Sequence, residues 1–151
     1  MLVAQKNPLG GITPLTVDKH TIRLGSDVFA NGKISSSGKQ RLFDALEEIK
    51  NKFDQYTTRS YAIATEAIRQ ASNSKKILND VFSEYEIDVE IISGKKEAEL
   101  IAKALKFKNQ LNGDCFSGID IGGASTEIFT YKKDRLKSVE SIKIGLSLIH
   151  I

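Results

Sequence analysis

Only one cysteine, Cys115, and two histidines, His20 and His150, occur among the 151 residues. A single thiol excludes an intrachain disulfide, and no Cys/His cluster with ligand spacing is present to hold a structural zinc. With two histidines and no partner pattern around either, Ser–His or Cys–His nucleophilic catalysis has no support. Long apolar runs are missing too. Met1 to Leu15 has neither a basic stretch followed by a long apolar run nor a span near the roughly 18 apolar residues of a membrane helix. No signal peptide and no membrane partner are therefore expected, and a cytoplasmic protein fits. Excess charge is small: 22 Lys+Arg against 19 Asp+Glu leaves +3. It is dispersed, with no basic patch interleaved with aromatics, which argues against nucleic acid as a partner. What remains is a soluble globular composition, 40% hydrophobic, long enough for one domain or two small ones.

Read in order, the chain predicts an α/β fold. Met1-Leu-Val-Ala4 reads as a strand, Pro8-Leu-Gly-Gly11 as a turn, and Leu15 to Leu24 as an alternating strand, followed by a loop from Gly25 to Lys33. Ser36 or Ser37 caps a helix whose apolar residues Leu42, Ala45, Leu46, Ile49 and Phe53 recur at three and four, a face suited to covering a sheet. Ser60 to Ala64 reads as a short buried strand. Thr65 is a candidate N-cap for a short helix with Glu66 in its first turn and Ala67, Ile68 and Ala71 inside. A helix over 74–86 carries Ile77, Leu78, Val81, Phe82 and Tyr85. After the strand Val89 to Ile92, Ser93-Gly94 starts a helix over 95–108 with Ala98, Ile101, Ala102 and Leu105 in one stripe. Leu111-Asn-Gly-Asp-Cys115 is the clearest loop. Strands at 116–121, 126–131 and 138–144 close the chain.

The stretch Phe116-Ser-Gly-Ile-Asp-Ile-Gly-Gly-Ala-Ser-Thr-Glu127 carries the strongest chemical signal. A short apolar strand delivers Asp120 to its end, with Ile119 and Ile121 expected to be buried on either side. Gly122, Gly123 and Ala124 then turn the backbone without a bulky side chain. Successive N–H groups in such a turn can form an anion nest, and the Ser125 and Thr126 hydroxyls can donate further hydrogen bonds to a phosphate. Asp120 and Glu127 are hard oxygen ligands suited to magnesium. The competing reading is a plain hairpin whose glycines supply φ > 0 and whose acids are solvated. Neither a dinucleotide-binding G-x-G-x-x-G nor a P-loop is present.

Two segments echo one another: Thr21-Ile-Arg-Leu-Gly25 and Ser141-Ile-Lys-Ile-Gly145 each end a predicted strand pair with the same apolar, basic, apolar, Gly finish. Only the second is preceded by the glycine turn.

Four stretches in register resemble the exopolyphosphatase and guanosine pentaphosphate phosphohydrolase family: Thr21 to Gly25, Ala62-Ile-Ala-Thr-Glu-Ala-Ile-Arg-Gln-Ala71, Ile91-Ile-Ser-Gly-Lys-Lys-Glu-Ala-Glu-Leu100, and Ile119 to Glu127. The resemblance implies the actin-like ATPase superfamily, in which two ribonuclease-H-like domains close on phosphates. Residues 1–110 would form most of the first domain, lacking its first strand, with an exit helix at 95–108; residues 111–151 would begin the second, with a phosphate loop at 120–127 and a hinge between Asn109 and Cys115. The resemblance assigns water activation to Glu97 and phosphate contact to Arg69. Asp120 and Glu127 would hold magnesium, while Gly122, Gly123, Ser125 and Thr126 cradle the phosphate. Inorganic polyphosphate or guanosine pentaphosphate would be the substrate.

Physics is compatible with these roles. Glu97 lies in the first turn of a helix, three residues past a glycine, free to point into a cleft while Ala98 and Ile101 face the core. Departures from the family pattern are equally visible. Lys95 and Lys96 stand where acids are common, and Ala124 replaces a third glycine, which is acceptable only at negative φ. The family's N-terminal Asp-x-Gly loop has no counterpart, and the final residues read as an interrupted frame. The expected protein is therefore a hydrolase of phosphoric anhydrides in incomplete, weakly active or inactive form, with a homodimer partner or complementing fragment as ways to complete it. A non-catalytic polyphosphate-binding remnant and a sugar or acid kinase of the same superfamily are the alternatives.

Overall fold

The computed structural model describes residues 1–8, 10–53, 56, 60–107, 115–133 and 135–146. It opens on an antiparallel hairpin of β1 (Leu2–Lys6) and β2 (Ile12–Val17). Asn7 closes the turn, its side-chain oxygen accepting from the Gly11 N–H at 2.8 Å and its own N–H donating to the Gly11 carbonyl at 2.9 Å.

Beyond Val17 the structure departs from the expected strand and loop. Arg23 adopts left-handed backbone (φ 57°), and helix α1 runs from Leu24 to Asn31. Leu24 and Val28 lie one turn apart against the core, Asp27 suits the positive helix start, and Gly32 (φ 66°) closes the end with its N–H on the Val28 carbonyl at 2.7 Å. The echo between Thr21–Gly25 and Ser141–Gly145 is therefore not an echo of strand ends, because the first segment runs into a helix.

Helix α2 (Ser36–Phe53) is capped by Ser35, one residue earlier than expected: the Gly38 N–H donates to Ser35 Oγ at 3.0 Å, and Ser35 Oγ donates to Asp27 at 2.6 Å. Where a sheet was expected beneath it, its main partner among the described residues is a helix. It packs on α4 (Ser74–Tyr85), with the Phe43 and Tyr85 rings edge-to-face at 5.5 Å. With the short helix α3 (Glu66–Gln70), these helices enclose a core of Val28, Ile34, Ile68, Ala71 and Ile77, against which Leu24, Leu42 and Leu78 pack. Asn73 locks the entry to α2, exchanging two hydrogen bonds of 2.9 Å with the Ile34 backbone.

Strands β3 (Ala62–Ala64) and β4 (Val89–Ile91) pair in parallel, joined through α3 and α4. β3 is less buried than its composition suggests, with Ile63 53% exposed. Helix α5 (Gly94–Phe107) follows, its start held by Ser93, whose Oγ accepts from the Lys96 N–H at 3.2 Å. Next comes an antiparallel meander of β5 (Cys115–Ile121), β6 (Thr126–Lys132) and β7 (Arg135–Ile142).

Helix α5 lies on one face of that meander. Ala98 and Ala102, both fully buried, meet Phe129 and Tyr131, the expected stripe on a sheet rather than on helices. Gly118 lies beneath Phe129: a Cβ there would approach the ring to 2.6 Å. Because side chains alternate along a strand, covering the Asp120 face leaves the Ile119 face open. Ile119 and Ile121 are 66% and 54% exposed, the reverse of the burial expected from their isoleucine character. The expected hinge lies outside the described residues apart from Cys115, which opens β5. No helix among the described residues is long and apolar enough to cross a membrane.

Candidate active site

Three carboxylates converge where α5 meets the end of the β5–β6 hairpin. Asp120 and Glu127 are direct cross-strand partners on the face that α5 covers, and Glu97 approaches from the first turn of that helix. One oxygen from each lies within 4.8 Å of one from each of the others. Like charges opposed across a ladder are destabilising, and a third carboxylate adds to the repulsion.

Glu127 is completely buried. Its Oε1 accepts from Ser141 Oγ at 2.8 Å on β7, while its Oε2 has no partner among the described residues. Gly94 makes this seat possible: a Cβ at that position would stand 2.8 Å from Ser141 Oγ and 3.5 Å from Glu127 Oε1. Glycine at the helix start thus lets the positive end of α5 close on a buried carboxylate. Glu97 also keeps one oxygen, Oε2, buried and unpaired. Its carboxyl is pushed up to about 7, first by burial and next by the Glu127 charge; Arg69 pulls the other way, Asp120 adds to the rise, and the Thr65 hydroxyl hydrogen-bonds the ionised form. Thr65 occupies the N-cap position of α3 as expected, yet makes no side-chain cap bond.

Arg69 stands in the field of Glu97 but is held within the protein. Its Nη1 donates to the Ile92 carbonyl and its Nη2 to Glu66. The turn of residues 122–125 is a tight hairpin loop closed by Gly122 N–H on the Ser125 carbonyl at 2.9 Å. Neither Gly122 nor Gly123 has left-handed backbone, and Ala124 likewise avoids it. The small residues serve close approach instead. Gly145 packs directly on the turn, where a Cβ would lie 2.4 Å from both Ala124 N and Gly123 C. Leu146 N–H donates to the Gly122 carbonyl at 2.9 Å, and the Thr126 hydroxyl donates to the Ile144 carbonyl at 2.6 Å. Ser125 is 3% exposed.

The expected residues Glu97, Asp120 and Glu127 are thus brought together, with Arg69 nearby. Thr126 spends its hydroxyl on the backbone. Thr65, Glu66, Gly94, Ser141 and Gly145 emerge as supporting residues. Each was visible in the sequence only in a local role: Thr65 and Glu66 at the start of a short helix, Gly94 at the start of another, and Ser141 and Gly145 as the two ends of the second echo segment.

Two buried, orphaned carboxylate oxygens beside a third carboxylate fit a hard divalent cation such as magnesium, which takes oxygen ligands. Asp120 and Glu127 would hold it with Glu97 beside them, and when bound it supplies charge neutralisation for a phosphate arriving at the turn.

An α/β protein with an acidic cluster at the base of a strand–turn–strand loop, faced by a helix carboxylate, has the anatomy of a phosphate-handling site. The chain belongs to the Ppx/GppA phosphatase family, whose model matches residues 2–150. It is 27% identical over 146 residues to exopolyphosphatase 1 of Mycobacterium tuberculosis, covering 96% of this chain and 42% of that protein. It is 26% identical over 137 residues to the guanosine-5'-triphosphate,3'-diphosphate pyrophosphatase of Aeromonas hydrophila, covering 90% of this chain and 27% of that one. Among solved structures, an exopolyphosphatase from Cytophaga hutchinsonii superposes with TM-score 0.90 at 27% identity over 99% of this chain and 48% of its own. The Aquifex aeolicus Ppx/GppA family member gives 0.81 at 28% identity over 98% and 48%. The fold is the ribonuclease-H-like α/β fold of the actin-like ATPase superfamily that these proteins share. The chain spans less than half the length of these relatives.

Proposed function

We propose that this chain carries the water-activating and metal-binding half of a phosphoric anhydride hydrolase acting on the terminal phosphate of inorganic polyphosphate or guanosine pentaphosphate. The observation that carries this reading is the convergence of Glu97, Asp120 and Glu127 within 4.8 Å beside the glycine turn, with two of their oxygens buried and unpaired. Three carboxylates against one guanidinium repel a phosphate, so anion and cation should enter together. Asp120 and Glu127 hold the cation. Glu97, whose carboxyl is poised near 7, accepts the proton of a water placed for in-line attack, the pKa range that suits a general base at neutral pH. Arg69 contacts the phosphate, and the backbone of residues 122–125 supports it. The substrate class follows from the family and from relatives named exopolyphosphatase and guanosine-5'-triphosphate,3'-diphosphate pyrophosphatase.

We read residues 1–110 as the first domain and 111–151 as the start of the second. Over less than half the length of its relatives, the chain offers part of the clamp that positions a phosphoryl group, and such positioning supplies several kcal/mol of catalysis. Its turnover alone is expected below about one per second, the low end of ordinary enzymes.

The test is phosphate release from polyphosphate and from guanosine pentaphosphate with magnesium, beside a Glu97→Gln control. Calorimetry accompanies it, with magnesium alone and with magnesium plus tripolyphosphate. Little heat from magnesium alone and clear binding of the pair are expected. Tight magnesium binding without an anion would contradict the reading, and activity unchanged in Glu97→Gln would remove that residue from the chemistry.

A further inference from the structure

We propose that Glu66 is a positioning residue for Arg69: its buried carboxylate, together with the Ile92 carbonyl, holds the guanidinium away from the Glu97–Asp120–Glu127 cluster and aims its remaining N–H groups at the phosphate. The inference rests on the phosphate reading of the site. The Glu66 side chain is 4% exposed and that of Arg69 22%. Glu66 Oε2 takes one Nη2 hydrogen and the Ile92 carbonyl takes one from Nη1. A guanidinium has five N–H donors, so three remain free of these two bonds.

Two ordinary explanations leave the burial of Glu66 unaccounted for. An acid in the first turn of a helix and an i,i+3 ion pair are modest effects, and both work at the surface. Burying a carboxylate costs far more unless something requires its charge there. Here the second oxygen, Oε1, is buried without a partner among the described residues. The requirement comes from the neighbours. A lone arginine beside three convergent carboxylates would fold onto them, neutralising the cluster meant for a cation and hiding the donors meant for a phosphate. Glu66 competes with them for that guanidinium through its bond to Nη2. It touches no reacting atom and acts only through Arg69.

The test is a double-mutant cycle on the whole chain, read as binding of tripolyphosphate with magnesium. Glu66→Ala is expected to weaken binding roughly tenfold or more, the scale of a lost charge-assisted hydrogen bond. Glu66→Gln, which keeps the shape and an acceptor for Nη2, should lose less. It also serves as the folded variant if Glu66→Ala does not fold. Glu66→Ala with Arg69→Ala should bind no worse than Arg69→Ala alone. Unchanged binding in Glu66→Ala, or losses that simply add, overturns the inference while leaving the phosphate reading intact. The order of the arginine is measured without any ligand, through the Arg69 Nε–H resonance. That signal should be resolved and slow to exchange in the wild type and lost in Glu66→Ala while the amide pattern of β5–β7 persists. A resonance unmoved by Glu66→Ala overturns the inference by itself. A wild type that fails to bind tripolyphosphate overturns the phosphate reading instead.

Discussion

At the scale of single residues, two glycines far apart in sequence shape the site for the same reason. Neither Gly94 nor Gly145 has left-handed backbone; each is small because another part of the site lies against it. Gly145 is the tighter case, since the atoms a Cβ would meet at 2.4–2.5 Å belong to the backbone of Gly123 and Ala124 and cannot swing aside. Gly145→Ala should push the turn away from its support, loosen the Leu146 bond to Gly122, and cost about 1–3 kcal/mol as an overpacking change. Denaturant unfolding measures the cost, and tripolyphosphate binding measures the displacement of the turn. Stability and binding both equal to wild type would show that the segment from Lys143 to Leu146 does not buttress the loop.

At the scale of elements, α5 is both the carrier of Glu97 and the lid of the β5–β7 sheet. Its register against that sheet is set by Ala98 and Ala102, whose complete burial lets the helix lie close on Phe129 and Tyr131. Ala102→Leu adds three carbons where no space exists, so the helix should lift. Glu97, five residues earlier on the same rigid element, should move off Asp120 and Glu127. The expected outcome is a loss of about 1–3 kcal/mol in stability and a larger loss of magnesium-dependent anion binding than an Ala104→Leu control on the exposed side of α5 produces. Equal binding in the two variants would mean that the helix does not couple its packing to the site. The stripe Ala98, Ile101, Ala102, Leu105 was legible from spacing alone. Helix α1 was not, because the left-handed turn at Arg23 lies at the end of an alternating run that reads as strand, and the helix directly after it falls where a loop was expected. The available signals, Asp27 in a first turn and Gly32 past a last one, are short-range cues that alternation outweighed.

For the whole molecule, the acidic cluster ties stability to pH. Glu97 binds its proton more tightly in the folded chain than an ordinary glutamate, so the stability linked to it is complete below its unfolded value and is lost as pH rises through about 7. Without metal, the wild type should unfold at lower denaturant near pH 8 than near pH 5, and the difference should shrink in Glu97→Gln. Urea titrations at both pH values decide it; an equal difference in the two proteins would assign it to other groups. The second property is apolar exposure. Ile119, Ile121 and Ile128 share the open face of the β5–β7 sheet, while Leu2, Ile12 and Val17 are exposed on the first hairpin. Such patches favour association. Ile119→Thr with Ile121→Thr should reduce concentration-dependent light scattering with the circular dichroism of the fold retained. Scattering unchanged by the pair would place the sticky surface elsewhere.

What the sequence determined by itself was local or chemical. Periodicity set α2, α4 and α5, turn chemistry set the β1–β2 and β5–β6 hairpins, and the spacing of carboxylates around a glycine turn marked Asp120 and Glu127. Family likeness added Glu97 and Arg69. Tertiary structure decided everything that depends on which surface meets which. It put α5, not a second sheet, over the Asp120 face, so that the isoleucines expected inside lie outside. It set α2 on a helix, sent the Thr126 hydroxyl to Ile144, and gathered Ser141 and Gly145 around residues distant in the chain. Alternation tells that a strand has two faces, but only the packed neighbours choose which one is buried. That choice placed three carboxylates together where α5 meets the end of the β5–β6 hairpin.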